Sequence, residues 1–290
     1  MIRSVRGALV GALVALAYVT LPLTAQQRVV RGTAVDPTVA IRIWVPDGMI
    51  EVHGWDRDSV EVRATPDAMT QLITGGSRSA MKVAIERRDL KLTPMASAQM
   101  RVYVPRGARL WIKSTTAAVQ VEGLTGELDV LQVGGGINVR EVSGVTTLES
   151  IDGPMSLARV AGVTRIRGGA GAVALDAMTG SLDISMIGGR VTLSGPPAAR
   201  GGGPRVSGRI ETVGGEIWFL AGLATGDRME LSSHSGPIRI SARGEMLPRV
   251  VTTLPDAVID PRLLEPRPAG GTITVRSFKG TLNATVSTGI

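Results

Sequence analysis

Residues 127–189 read ELDVLQVGG GINVREVSG VTTLESIDG PMSLARVAG VTRIRGGAG AVALDAMTG SLDISMIGG. With Gly126 before it, the stretch places glycine at every ninth position without a gap, through Gly135, Gly144, Gly153, Gly162, Gly171, Gly180 and Gly189. The fourth place of each unit is always aliphatic: Val130, Val139, Leu148, Leu157, Ile166, Leu175 and Ile184. The second place is mostly apolar, and places three and five are largely polar. Alternation of that period marks a short half-buried strand. A helix has no 3.6-residue period here and would carry a glycine every nine residues, so it is excluded. Each unit is therefore a strand followed by a turn. Place seven (Val133, Val142, Ile151, Val160, Gly169, Met178, Ile187) is expected to pack inward at the bend. The closing glycine is expected to supply positive φ or a close backbone approach.

The exposed charges decide how many units make one coil. At a spacing of 18, Glu122 meets Arg140, Glu141 meets Arg159, Glu149 meets Arg167 and Arg165 meets Asp183; no like-charged pair occurs at that spacing between residues 117 and 198. Residues stacked on neighbouring rungs lie about 4.8 Å apart, where opposite charges help and like charges hurt. The predicted fold is thus all-β, a single-stranded parallel β-solenoid with two short strands per coil of about 18 residues. The pattern loosens on both sides, which divides the chain into an export segment (1–25), an N-terminal β cap with the first coils (26–115), regular solenoid repeats (116–244), and an irregular Pro-containing loop with C-terminal strands or cap (245–290). Pro/Gly-rich interruptions at 194–206 and 245–271 are expected to leave the solenoid as loops or an irregular coil.

Composition narrows the function classes. Two Phe, two Tyr and 37 Gly suit thin layers of small and β-branched side chains. The absence of cysteine excludes a disulfide framework, a thiolate nucleophile and a thiolate metal site. Arg3, Arg6, the apolar run Gly7–Leu21, Pro22 and small Ala25 have the order of a cleaved secretory signal, with an uncleaved anchor as the alternative. That segment carries two arginines and no acid, so of the formal +7 a balance of +5 stays with residues 26–290. The arginines are scattered singly rather than in blocks among aromatics, which argues against nucleic acid as a partner. After cleavage no integral membrane span is expected, and the chain is placed in the periplasm, at the cell surface or outside the cell.

Several strand-and-turn motifs also carry a resemblance. G-x-I-x-V-x-G-W-D-x-D-x-V-x-V at Gly48–Val62, V-x-V-P-x-G at Val102–Gly107, ELSSHSGPIRI at Glu230–Ile240 and the closing TVRSFKGTL resemble the DUF4097 family of exported bacterial proteins, described as adhesins. The resemblance covers essentially all of residues 26–290. It implies a β-solenoid in or outside the envelope, and brings no catalytic residue with it.

A calcium-binding β-roll needs the unit G-G-x-G-x-D-x-U-x, and the nearest stretch, Gly168–Asp176, has Val173 in place of the aspartate. A polysaccharide-cleaving β-helix needs clustered carboxylates. Asp129 and Asp183 share a column but are three coils apart, with Thr147 and Arg165 between them. His53 and His234 read as exposed turn residues, with no acid at a recognisable spacing. Trp44, Trp55, Trp111 and Trp218 read as end caps or corner fillers ahead of a sugar-binding face. The column Gln120, Asn138, Ser156, Ala174, Thr192 forms a flat polar ladder, either a solvated face or a strip that contacts glycan. No catalytic, cofactor or metal residue is therefore assigned. The sequence points to a non-enzymatic, adhesin-like envelope protein whose partners are envelope or host glycans or an envelope protein. A periplasmic protein-binding scaffold stands second, and a polysaccharide-acting enzyme third.

Overall fold

A computed structural model describes residues 28–89, 96–195, 205–244, 247–265 and 270–287. The export segment at 1–25 lies outside the described residues, as does 196–204, the heart of the first interruption. Two sheets, of 13 and 12 strands, face each other along the molecule. In the repeat region each coil gives one strand to each sheet. Glu127–Gln132 lies in the 12-stranded sheet and Ile137–Arg140 in the 13-stranded sheet; Ser143–Ser150 and Met155–Ala158 repeat the pattern one rung on. Pairing is parallel and steps by 18 residues: Val130↔Leu148, Val139↔Leu157, Ile166↔Ile184. The chain is a parallel β-solenoid with two strands per coil.

The core is one continuous double row. Leu128, Val130, Leu148, Ile166, Ile184, Ile210 and Leu231 point inward from one sheet, and Val121, Val139, Leu157, Leu175, Leu193, Phe219 and Ile240 from the other, all buried. Each contributes on the order of 1.5–3 kcal/mol by leaving water. Places two and four thus face inward as the alternation requires.

Place seven behaves differently at the two corners. Val142, Val160 and Met178 are buried, whereas Val133, Ile151 and Ile187 are 49%, 64% and 68% exposed. The expectation of a uniformly inward place seven fails at this second corner, and the cause is the residue before it. Gln132, Ser150, Thr212, Ser233 and Ser277 turn inward and fasten the bend. Gln132 Nε2 donates to Gly135 O at 2.7 Å and Thr212 Oγ1 to Gly215 O at 2.8 Å. Ser150, Ser233 and Ser277 accept from the backbone N–H of Gly153, Gly236 and Gly280. With place six inside, simple alternation sends place seven out. At the opposite corner place six is Glu141, Arg159 or Ala177, each left-handed with φ of 52°, 54° and 50°. That kink resets the alternation and returns place seven to the core.

The glycines serve both expected purposes. Gly162 has φ +104°, and a Cβ there would sit 2.2 Å from the carbonyl oxygen of Gly144 one rung below. Gly153 has no positive φ, but a Cβ would sit 1.8 Å from Gly135 O.

Both ends are covered by excursions of the chain. Strands Ala40–Trp44 and Asp47–Trp55 begin the solenoid and pair inward with Arg109–Ser114 and Ala118–Glu122. The intervening chain builds outward, adding Ser59–Pro66 and Ser97–Pro105 to one sheet and Thr70–Gly76 and Ala80–Arg87 to the other. Val29–Ala34 lies outermost against Ser59–Pro66, and all the antiparallel pairs among the described residues are here. At the far end Thr272–Ser277 and Leu282–Val286 stack on Arg228–Ser233 and Ile238–Ala242. The earlier Arg249–Thr252 and Val258–Ile259 lie outside them, so the proline-containing segment forms the outermost rung.

Candidate functional site

The outward face of the 13-stranded sheet carries a polar row that stays uncharged over five rungs. Gln120, Asn138, Ser156, Ala174 and Thr192 are cross-strand partners in succession, and the row continues to Trp218 and Arg239. Beside it run Ala118, Gly136, Pro154 and Ala172, and the two rows floor a shallow depression of about 340 Å³. The floor is flat because its side chains are short. Its amides and hydroxyls offer both donors and acceptors. The polar ladder anticipated from the sequence is therefore present as one continuous strip.

Aromatic and cationic groups stand at its ends. Trp218 is sandwiched by guanidiniums, Arg190 at 4.0 Å and Arg239 at 5.4 Å from its ring centre. Glu216 ties both arginines, at 2.9 and 3.1 Å. At the other end Tyr103 stacks between His53 (5.5 Å) and Trp55 (5.3 Å), and Arg57 and Arg63 lie over Trp55 and Tyr103. A second depression of about 160 Å³ joins this cluster to the strip through His53, Gln120, Glu122, Asn138 and Arg140.

Several sequence expectations change here. The four tryptophans, expected as end caps or corner fillers, lie on strands instead: Trp44, Trp55 and Trp218 are half-buried on outer faces and Trp111 is exposed. His53 is not a turn residue but lies on strand Asp47–Trp55, with Glu51 at 3.8 Å and Glu122 at 3.9 Å. Glu122 comes from 69 residues further along and Tyr103 from 50, so no local motif reveals the cluster. His234 is an exposed turn residue, stacked on Phe278 at 5.1 Å. Arg101 holds the Glu51 carboxyl below the usual carboxylate range, through its hydrogen bond first and its charge as well, against an opposing push from burial.

The charge pairs at spacing 18 stand in register, but only some close. Glu141–Arg159 meets at 2.8 Å and Glu149–Arg167 at 3.9 Å. Glu122 faces Arg140 and Arg165 faces Asp183 without an ion pair among the described residues. Asp129 and Asp183 share an outward row with Thr147 and Arg165 between them. Three rungs separate the two acids by about 14 Å, wider than paired glycosidase carboxylates. Val173, in the place of the β-roll aspartate, is buried. Among the described residues no group of three acids or histidines could hold a metal, and no helix is long and apolar enough to cross a membrane.

No protein-family model matches the chain, so the resemblance to DUF4097 stands on its own motifs. No curated protein matches it either. Similar solved structures include a candidate adhesin from Parabacteroides merdae ATCC 43184, 10% identical, with a TM-score of 0.37, covering 90% of this chain and 95% of that one. A candidate adhesin from Bacteroides fragilis NCTC 9343 is 10% identical, with a TM-score of 0.36, covering 91% and 98%. A candidate lipid-binding protein from Parabacteroides distasonis ATCC 8503 is 8% identical, with a TM-score of 0.34, covering 88% and 96%. At such TM-scores these likenesses carry no argument about what this chain does.

Proposed function

We propose that the protein is an exported, non-enzymatic, adhesin-like binding protein of the cell envelope that lays an extended glycan along its 13-stranded sheet. One observation supports this reading above the others: the uncharged row from Gln120 to Thr192, in register and ending on Trp218. A polymer aligned with the solenoid axis meets a new amide, hydroxyl or methyl group at each rung, every 4.8 Å or so, a repeat comparable to one sugar ring. The amides and hydroxyls of the row serve the sugar hydroxyls, the Ala174 methyl meets ring C–H groups, and the Trp218 and Tyr103 clusters, their rings already covered by guanidiniums and neighbouring rings, close the two ends. Rows of this kind position a ligand but move no proton, so binding without cleavage is the expected result.

Incubating the protein with a panel of envelope and host polysaccharides tests this. Retention of a polymer without new reducing ends, lost in Ser156→Trp, supports the reading. New reducing ends would turn it into the enzyme reading. A second reading, a scaffold for another envelope protein, draws on the exposed apolar corner of Val133, Ile151, Ile187 and Val213. A partner captured by the protein and lost in Ile151→Asp, with every polysaccharide unbound, would favour that one.

A further inference from the structure

The uncharged row does not end at Gln120. Its partner is Glu51, whose own partner is Arg101, and Arg101 stands opposite Arg63 on the next strand. Two guanidiniums facing each other across an antiparallel pair repel, and a sheet surface with no use for them avoids that pairing. Arg28, just before strand Val29–Ala34, lies on the same side. Arg28, Arg63 and Arg101, with Glu51, Thr65 and Gln99, line a depression of about 240 Å³.

Glu51 and Glu61 offset part of this charge. Each engages its arginine through Nε alone, Arg101 with Glu51 and Arg63 with Glu61, so neither is a two-pronged pair. Arg28 has no ion pair among the described residues. With both acids counted, the guanidiniums still outnumber the carboxylates. A planar guanidinium with uncommitted Nη donors matches an oxyanion better than any neutral group does.

We infer that this depression takes the carboxylate or sulfate of a polysaccharide lying along the row, so that the ligand is an acidic polymer. The inference rests on the glycan-binding reading and adds the charge of the glycan to it. Arg28 and Arg63 donate to the oxyanion, with the Thr65 hydroxyl and Gln99 amide beside them. An anion there also removes the Arg63–Arg101 repulsion, which makes the pairing productive in the bound state. From this depression the row runs seven strand spacings to Trp218, about 34 Å, room for several sugar units.

The test is equilibrium binding of the whole protein to polygalacturonate, to its carboxyl-reduced neutral counterpart and to dextran sulfate, at low and high salt. Tighter binding of either acidic polymer than of the neutral one, roughly tenfold and weakening with salt, is the expected result; the two acidic arms separate carboxylate from sulfate recognition. The double variant Arg28→Gln, Arg63→Gln loses that preference and its salt dependence while still melting cooperatively. Arg165→Gln, Arg167→Gln removes the same charge from the other sheet and leaves binding as it was. Equal binding of acidic and neutral polymers overturns the inference and leaves the glycan reading standing. Equal losses in the two double variants overturn it as well, since bulk charge would then explain the preference. No binding to any of the polymers overturns both readings.

Discussion

On the 12-stranded sheet the middle outward row runs Trp111, Asp129, Thr147, Arg165, Asp183, Arg209, Glu230, and from Arg165 onward the charge reverses at every rung, although the row beside it (Val145, Val163, Ser181, Ser207) is uncharged. On the 13-stranded sheet, half a coil away, the row Gln120, Asn138, Ser156, Ala174, Thr192 carries no charge over about 19 Å. Both rows belong to the same 18-residue coil and cover the same aliphatic core. In a parallel in-register stack each residue sits beside its counterpart on the next rung, so alternating charge is the cheapest guard against a slipped register. The 12-stranded sheet uses that guard; the strip gives it up and leaves register to the core and to the corner hydrogen bonds. On the glycan reading proposed above, that cleared strip is where the ligand lies.

The comparison holds only if the two faces share one core, and that is where the largest effect is expected. Val139 and Leu148 are fully buried, one under each face. Val139→Asp and Leu148→Asp should each destabilise by about 3–5 kcal/mol, through an unpaired buried charge. The denaturant midpoint reads this directly. If either variant melted within a degree or two of the parent, the shared core would be wrong.

Next in size is a contrast between glycines. Gly162→Ala forces a side chain into a left-handed backbone and against Gly144 O, and should cost about 2–4 kcal/mol. Gly134→Ala has open space around its Cβ and no positive φ, and should stay within about 0.5 kcal/mol. Similar losses at both sites would mean that the corners are looser than drawn.

Much of this was legible in the chain. The aliphatic fourth place and the charges at spacing 18 carry the strands, the two-strand coil and the register, because they follow from stacking alone. A uniformly inward place seven fails at one corner because the nine-residue average hides two kinds of unit. Split into alternating units, place six shows Gln132 and Ser150 in one series and Glu141, Arg159 and Ala177 in the other, the distinction between a hydrogen-bonded corner and a left-handed one. The polar ladder was visible, since it lies wholly inside the repeat. Its arginine end was not. Arg63 and Arg101 meet only through the N-terminal excursion, whose antiparallel pairing has no periodic signature.

A charge placed on either face should separate them by function rather than by stability. Ala174→Arg and Ser185→Arg both sit at exposed outward positions, and each should change stability by no more than about 0.5 kcal/mol. Affinity for a neutral polysaccharide should fall about tenfold for Ala174→Arg, by intruding on the strip, and stay unchanged for Ser185→Arg. Equal effects on binding would end the distinction between the faces.

The smallest effect concerns Asp129, which stands before the alternating stretch, between uncharged Trp111 and Thr147. Asp129 lies near Glu127 and Glu149, and burial first, then those two charges, raise its carboxyl above the ordinary 3.8. A raised acid binds its proton more tightly folded than unfolded, so its contribution falls as pH rises from the unfolded value through the folded one. Above that window the ionised carboxylate opposes folding; below it the penalty is gone. Asp129→Asn should therefore stabilise by about a few tenths of a kcal/mol at neutral pH, allowing for solvent screening, with the gain vanishing toward pH 3. Thermal melts of both proteins at the two pH values give the double difference. A gain that persisted unchanged in acid would place its origin in packing rather than in the charges around Asp129.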